Sequence, residues 1–414
     1  MRKVYLFSFL LISGLFLSQI VPHLLGENFG LFKILLDALL YTSLAFIMIN
    51  VGREFEINKK EWRSYVTDYL VAMGAAALPW IFVALYYLFF IAPAHMQIWS
   101  SGDAWKETFL LTRFAAPTSA GILFTMLIAA GLKHTWVYKK VQVLAIFDDL
   151  DTILLMIPLQ ILMIGMRWQM FVVLIVALLL VWFGWRKMKS YNPPQDVKSI
   201  LAYSFIIYTI IEVTHQVSIY LFGKGGAIHI EILLPAFILG MVMRSNHNEP
   251  LNRAEALSHS KSEKLSGAIS YLFMLLVGMS MPLFVGIDFD SLSAASSSVI
   301  SNIPFPSWGT IAIHVVAVTA ISNIGKLFPL LFYREHSFAE RLAVSVGMFA
   351  RGEVGAGVLF IAIGYQLGGV LLIVSVLAMS LNFLLTGFFI SYAKRLTNNS
   401  IKAKAPNLSL TRGQ

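Results

Sequence analysis

The chain reads as an all-α polytopic membrane protein of about twelve transmembrane helices. Of its 414 residues, 58% are hydrophobic and only 13% charged, where a soluble domain carries about 25% charged residues. Apolar runs of about 20 residues, enough to cross a bilayer as helix, recur from end to end. Basic residues, finally, fall almost entirely into alternate connections. The short alternating segments of a transmembrane β-barrel are not evident.

The spans fall near 4–25, 31–51, 66–92, 108–131, 138–165, 169–185, 199–222, 228–243, 267–287, 309–333, 341–364 and 369–393. The apolar run Val4–Leu25 is longer than a signal-peptide core and no small-x-small cleavage site follows it, so it reads as the first span. Cytoplasmic loops hold the excess of Lys and Arg. With the N-terminus inside, the clusters Arg53 to Arg63, Lys133 to Lys140, Arg186 to Lys198, Arg244 to Lys264, Arg334 with Arg341, and the tail from Lys394 share one side. The other keeps Lys33, Lys106, Arg167 and Lys224. Both termini are therefore expected in the cytoplasm, and the net charge of +9 marks orientation and contact with anionic lipid rather than nucleic-acid binding. No separate soluble domain is expected; the loop Asn246–Ser266 and the tail 395–414 read as short solvated linkers. The absence of cysteine excludes disulfides, thiolate metal sites and cysteine nucleophiles, and no nucleophile–base constellation suggests an enzyme.

Within the fifth span lies Phe147-Asp-Asp149, followed by Asp151. An ionisable group at mid-bilayer costs about 2.5–3.5 kcal/mol even on lenient scales, and adjacent acids repel. Such a pair needs a wet cavity, a partner or a cation. Two spans carry helix-breaking sequences: Phe114-Ala-Ala-Pro-Thr-Ser-Ala-Gly-Ile122 in the fourth and Phe349-Ala-Arg-Gly-Glu-Val-Gly-Ala-Gly357 in the eleventh. Each alone is equally a kinked packing helix. Seven spans apart, however, they run in opposite directions, as paired discontinuous helices of inverted-topology repeats do. Matching spans three to five with ten to twelve sets the acid pair beside the first break and brings Lys326 from the other repeat.

A hard monovalent cation wants oxygen ligands. Carboxylate from Asp148 or Asp149, hydroxyl from Thr118 or Ser119, and carbonyls freed in the fourth span offer them, and protons compete for the same carboxylates. Neighbouring residues on a helix point about 100° apart, so one acid is expected to hold the ion and the other to meet a partner. Lys326 is the natural partner.

Seven short motifs in order then resemble the cation/proton antiporter superfamily, in the branch of bacterial sodium/proton exchangers with a paired Asp-Asp. They are Val51-Gly-Arg-Glu-Phe-Glu56, Pro117-Thr-Ser-Ala-Gly121, Phe147-Asp-Asp149, Leu234-Pro-Ala-Phe-Ile-Leu-Gly240, Leu276-Val-Gly-Met-Ser280, Gly325-Lys326 and Ala350-Arg-Gly-Glu-Val-Gly355. The resemblance implies electrogenic export of Na⁺, and also Li⁺, against H⁺, with no resident cofactor. It implies Asp149 as main carrier, Asp148 as partner of Lys326, Thr118 and Ser119 beside the site, and Arg351 with Glu353 tying the core helices together. It also implies a multi-pass protein of the bacterial inner membrane, a homodimer with a moving core (about 66–165 and 309–393) and a dimerisation scaffold from the remaining helices. A K⁺/H⁺ antiporter and an organic-anion symporter are the alternatives.

Two residues depart from that pattern. Asp151 shares a helix face with Asp148; it adds a proton site or stands solvated at the cavity mouth, the latter being the expectation. Arg113 balances surplus carboxylate or snorkels at the outer surface. Glu212 with His215, spaced i,i+3 in the seventh span, are expected to make an intrabundle hydrogen bond rather than a metal site. Asp37 and His314 are expected near the extracellular surface, and His134, His247 and His259 in cytoplasmic loops.

Overall fold

The computed structural model describes residues 2–55, 62–92, 96–164, 168–223, 230, 232–244, 253–281, 298–365 and 367–410. Among these the regular elements are all helices: α1 (Arg2–Leu25), α2 (Phe29–Glu54), α3 (Trp62–Tyr86, extended by a π turn Tyr87–Ile91), α4 (Gly102–Thr112), α5 (Ala120–Ala129), α6 (Trp136–Ile164) and α7 (Trp168–Lys187). There follow α8 (Val197–Phe222), α9 (Leu233–Val242), α10 (Arg253–Met279), α11 (Trp308–Gly325), α12 (Phe338–Gly347), α13 (Glu353–Gly364) and α14 (Gly369–Leu410). Six helical segments among the described residues are long and apolar enough to cross a membrane: Arg2–Arg53, Ser64–Ile91, Gly102–Ala129, Val197–Phe222, Trp308–Leu331 and Gly369–Lys402. The architecture is that of an all-α membrane protein.

Local sequence accounts for the ends. Side-chain oxygens of Ser101, Ser119, Asp196 and Ser307 accept hydrogen bonds from the exposed first-turn amides of α4, α5, α8 and α11. Ser337 and Glu340 close a reciprocal capping box on α12. Two expected loops are instead partly helix. α10 begins at Arg253, inside 246–266, and α14 runs to Leu410, beyond residue 395, because helix propensity does not stop where an apolar run ends. Parts of the expected spans 228–243 and 267–287 lie outside the described residues.

Packing between helices depends on missing side chains. A Cβ on Gly14 of α1 would lie 2.1 Å from the Leu275 carbonyl oxygen of α10, and one on Gly278 of α10 would lie 2.2 Å from that of Leu11. The same reciprocal crossing joins Gly52 of α2 to the Phe237 carbonyl (2.2 Å) and Gly240 of α9 to that of Ile49 (2.1 Å). In lipid, close backbone approach of this kind replaces the hydrophobic driving force between helices. Replacing Gly278 by Leu is therefore expected to force α1 from α10 and cost at least the ~1–3 kcal/mol typical of overpacking, seen as a lower unfolding midpoint in detergent. Gly267→Ala, on the same helix but with nothing within 4 Å of the added carbon, is the control and is expected to leave the midpoint unchanged or raise it.

Candidate functional site

The chain leaves the helical path twice, and the two departures touch. α4 ends in a 3₁₀ turn, Arg113–Ala115, and α5 begins only at Ala120. α12 ends at Gly347 and α13 begins at Glu353. Between them the Ser119 amide donates to the Ala350 carbonyl at 2.9 Å, and the Thr118 hydroxyl donates to that of Met348 at 3.2 Å. Gly352 is required here: a Cβ would lie 2.5 Å from the Ser119 side chain. Arg351, 2% exposed, reaches back and donates to the carbonyls of Ala116 (3.2 Å) and Pro117 (2.9 Å). A positive guanidinium thus satisfies the acceptors that Pro117 and the break set free.

α6 passes beside this crossing. Asp148 is fully buried, and its Oδ2 accepts from the Thr118 amide (2.8 Å) and from Lys326 Nζ (2.8 Å), itself fully buried. Lys326 Nζ donates in addition to the Thr118 hydroxyl at 2.9 Å. The expected partnership of Asp148 with Lys326 is thus present as a charge-assisted contact, with Thr118 as its third member.

Asp149 points elsewhere. It is half-buried and lines a cleft with about 400 Å³ of empty space, open solvent included. The cleft lies between Met48 of α2 and Leu233, Leu234 and Phe237 of α9 on one side, and Ile146, Leu150 and Thr152 of α6 and Val354 of α13 on the other. Asp149 is the ionisable residue in that lining. The one-residue step along α6 separates the two acids as helix geometry requires.

The remaining candidates divide. The Ala116 and Pro117 carbonyls, expected to face a cation, are taken by Arg351, and the Thr118 hydroxyl by Lys326 and Met348. Ser119 Oγ caps α5 by accepting from the Ile122 amide. Glu353 is the first residue of α13, but its side chain lies outside the described set. Asp151 is not a solvated group at a cavity mouth: it is 1% exposed, its Oδ1 accepts from the Tyr69 hydroxyl at 2.8 Å, and its main-chain oxygen accepts from Arg113 Nη2 at 3.0 Å. Nor does Arg113 snorkel. It is fully buried, with its guanidinium 4.8 Å from the centre of the Trp80 ring. Of its two expected roles the placement agrees with the first, beside the surplus carboxylates, because the 3₁₀ turn before the break aims Arg113 at α6.

Away from the acids, the Glu212 carboxylate accepts from Gln216 Nε2 at 2.6 Å, one turn along α8. His314 Nδ1 meets the Tyr86 hydroxyl at 2.9 Å. Among the described residues no group of three or more His, Cys, Asp or Glu could hold a metal ion. A network not expected from the sequence lies near the starts of α3 and α6: Lys140 Nζ donates to both oxygens of Asp68 at 2.9 Å, and the Tyr333 hydroxyl donates to Asp68 Oδ1 at 2.7 Å. An acid in the first turns of the third span was its one visible signal.

The fold and site define a helical membrane protein with a buried acid–base centre at two crossing helix breaks, beside an acid-bearing cleft. Neither a protein-family model nor a curated protein matches the chain.

Proposed function

We propose that this protein is a secondary-active antiporter that exports Na⁺, and Li⁺, in exchange for protons across a bacterial inner membrane. One observation carries the reading: a carboxylate, Asp149, lines a cleft while its neighbour Asp148 is neutralised by a buried lysine from the far end of the chain. A cleft acid binds either a cation or a proton, and that competition is the whole of the coupling. Asp148, Thr118 and Lys326 supply a fixed electrostatic wall behind it. No covalent step is needed, since the gradient provides the energy.

The finer architecture belongs to this reading. Twelve spans follow if α4 with α5 and α12 with α13 each count as one broken crossing. Gly14 precedes Gly240 by the same number of residues as Gly52 precedes Gly278, and the crossing of α1 with α10 is thereby matched by that of α9 with α2. This regularity supports inverted repeats, as does the meeting of the two breaks. The cleft lies where the core (α6, α13) faces the scaffold (α2, α9), the natural surface for alternating access. The exchanger is electrogenic, works as a homodimer and keeps both termini in the cytoplasm.

The test is a pH-gradient assay in inside-out vesicles with Na⁺, Li⁺ and K⁺ added separately. Collapse of the gradient by Na⁺ and Li⁺ is expected. Collapse by K⁺ alone would replace the reading with a K⁺/H⁺ antiporter, and no response to any of the three would sink it.

A further inference from the structure

Lys326 follows directly on the end of α11 at Gly325, and only a short 3₁₀ helix, Phe328–Leu331, lies beyond it. Its position is set by three contacts spaced along α3. Gly325 lies against Pro79, where an added Cβ would be 2.5 Å from the Pro79 nitrogen. Phe328 fills the space over Gly74, whose Cβ would be 2.2 Å from the Phe328 ring. Tyr333 closes the series on Asp68. The intervening chain is a run of hydrogen-bonded turns, Leu327 to Ile324, Leu330 to Leu327 and Phe332 to Pro329. Arg341 Nη1 fixes it further by donating to the Leu330 carbonyl at 2.8 Å. A short, internally bonded segment thus joins Tyr333 to Lys326.

The end of this rail is stapled. Asp68 is 1% exposed and takes three hydrogen bonds, two from Lys140 and one from Tyr333. Lys140 Nζ also sits 4.6 Å over the Tyr333 ring. Tyr333 adopts φ +54°, a left-handed backbone that a non-glycine residue keeps only when its surroundings impose it. Burial, with the Asp68 charge added to it, raises the Tyr333 hydroxyl well above its ordinary range, so it stays a donor. Lys140 stands two turns before Asp148 on α6, so the same staple fixes the helix bearing the acid.

We infer that Asp68, Lys140 and Tyr333 are positioning residues that hold Lys326 in register with Asp148 from the cytoplasmic end. The exchange reading above underlies only the transport arm of the test. In detergent, Asp68→Asn, Lys326→Gln and the double variant are compared by unfolding midpoint. Asp68→Asn is expected to lower the midpoint strongly in the native background and much less beside Lys326→Gln. Equal losses in both backgrounds would overturn the inference. Lys140→Gln should lower the midpoint and Lys140→Arg restore it; an equal loss from both counts against the staple. In proteoliposomes, Tyr333→Phe is expected to keep the KM for Na⁺ within about twofold while weakening the dependence on membrane potential. Unchanged potential dependence would overturn it. A native protein that exchanges no cation would remove the antiport reading and leave the stability comparison standing.

Discussion

Asp149→Asn is expected to abolish cation-driven proton movement in inside-out vesicles while the variant still inserts and folds. The substitution keeps size and shape and removes the charge that makes cation and proton competitors. Asp149 lines the cleft, and the buried pair of Asp148 with Lys326 keeps both members when the Asp149 charge is lost. Activity should fall to background, not by a few-fold, because an amide neither carries a proton nor offers a negative ligand. Retention of full exchange by Asp149→Asn, at any pH between 6 and 9, would remove it as carrier. Asp148→Asn is the informative contrast. It leaves Lys326 buried without its acid, so its first effect is on folding.

Lys326→Ala is expected to be the most destabilising single change in the molecule. It removes a fully buried cation from a fully buried carboxylate at 2.8 Å and leaves Asp148 Oδ2 only the Thr118 amide. Breaking one side of a buried pair costs about 3–5 kcal/mol, whereas replacing both partners with neutral groups is often close to neutral. The double variant Asp148→Asn with Lys326→Met should therefore recover much of the midpoint that Lys326→Ala loses. Thermal unfolding in one detergent decides it: a double variant no more stable than Lys326→Ala would mean that the pair is not what the lysine serves. Surviving Lys326→Ala protein is expected to show weaker dependence on membrane potential. Native-like electrogenic exchange would break the link between the lysine and charge coupling.

Much of this site was readable from residue order. A run of 29 residues in α6 with three acids among apolar neighbours cannot hide, and two breaker motifs an odd number of spans apart point at each other. The cost of a buried charge likewise made Lys326 the partner to seek. The sequence does not carry direction. Asp151 looked like a residue near water and Arg113 was left between two roles, and a short 3₁₀ turn buries Arg113 against the backbone of Asp151. Arg351 was expected to tie helices together, yet nothing in Ala350-Arg-Gly says that its donors end on Ala116 and Pro117. Asp68, Lys140 and Tyr333 were invisible as a group because each is ordinary in its own segment. Only the fold makes neighbours of residues so far apart in the chain.

The Arg351 contacts carry a consequence for endurance. Free carbonyls in a broken membrane helix need a positive counterpart, and a travelling ion is a poor choice for that post, because it is absent for part of every turnover. Here the counterpart is covalently attached. If the proposed exchange holds, a site built this way does not loosen each time its cargo departs, so its folded form is expected to be independent of sodium. Dilution into sodium-free medium should consequently leave its shelf life intact, a property that purification and storage would reveal before any transport measurement.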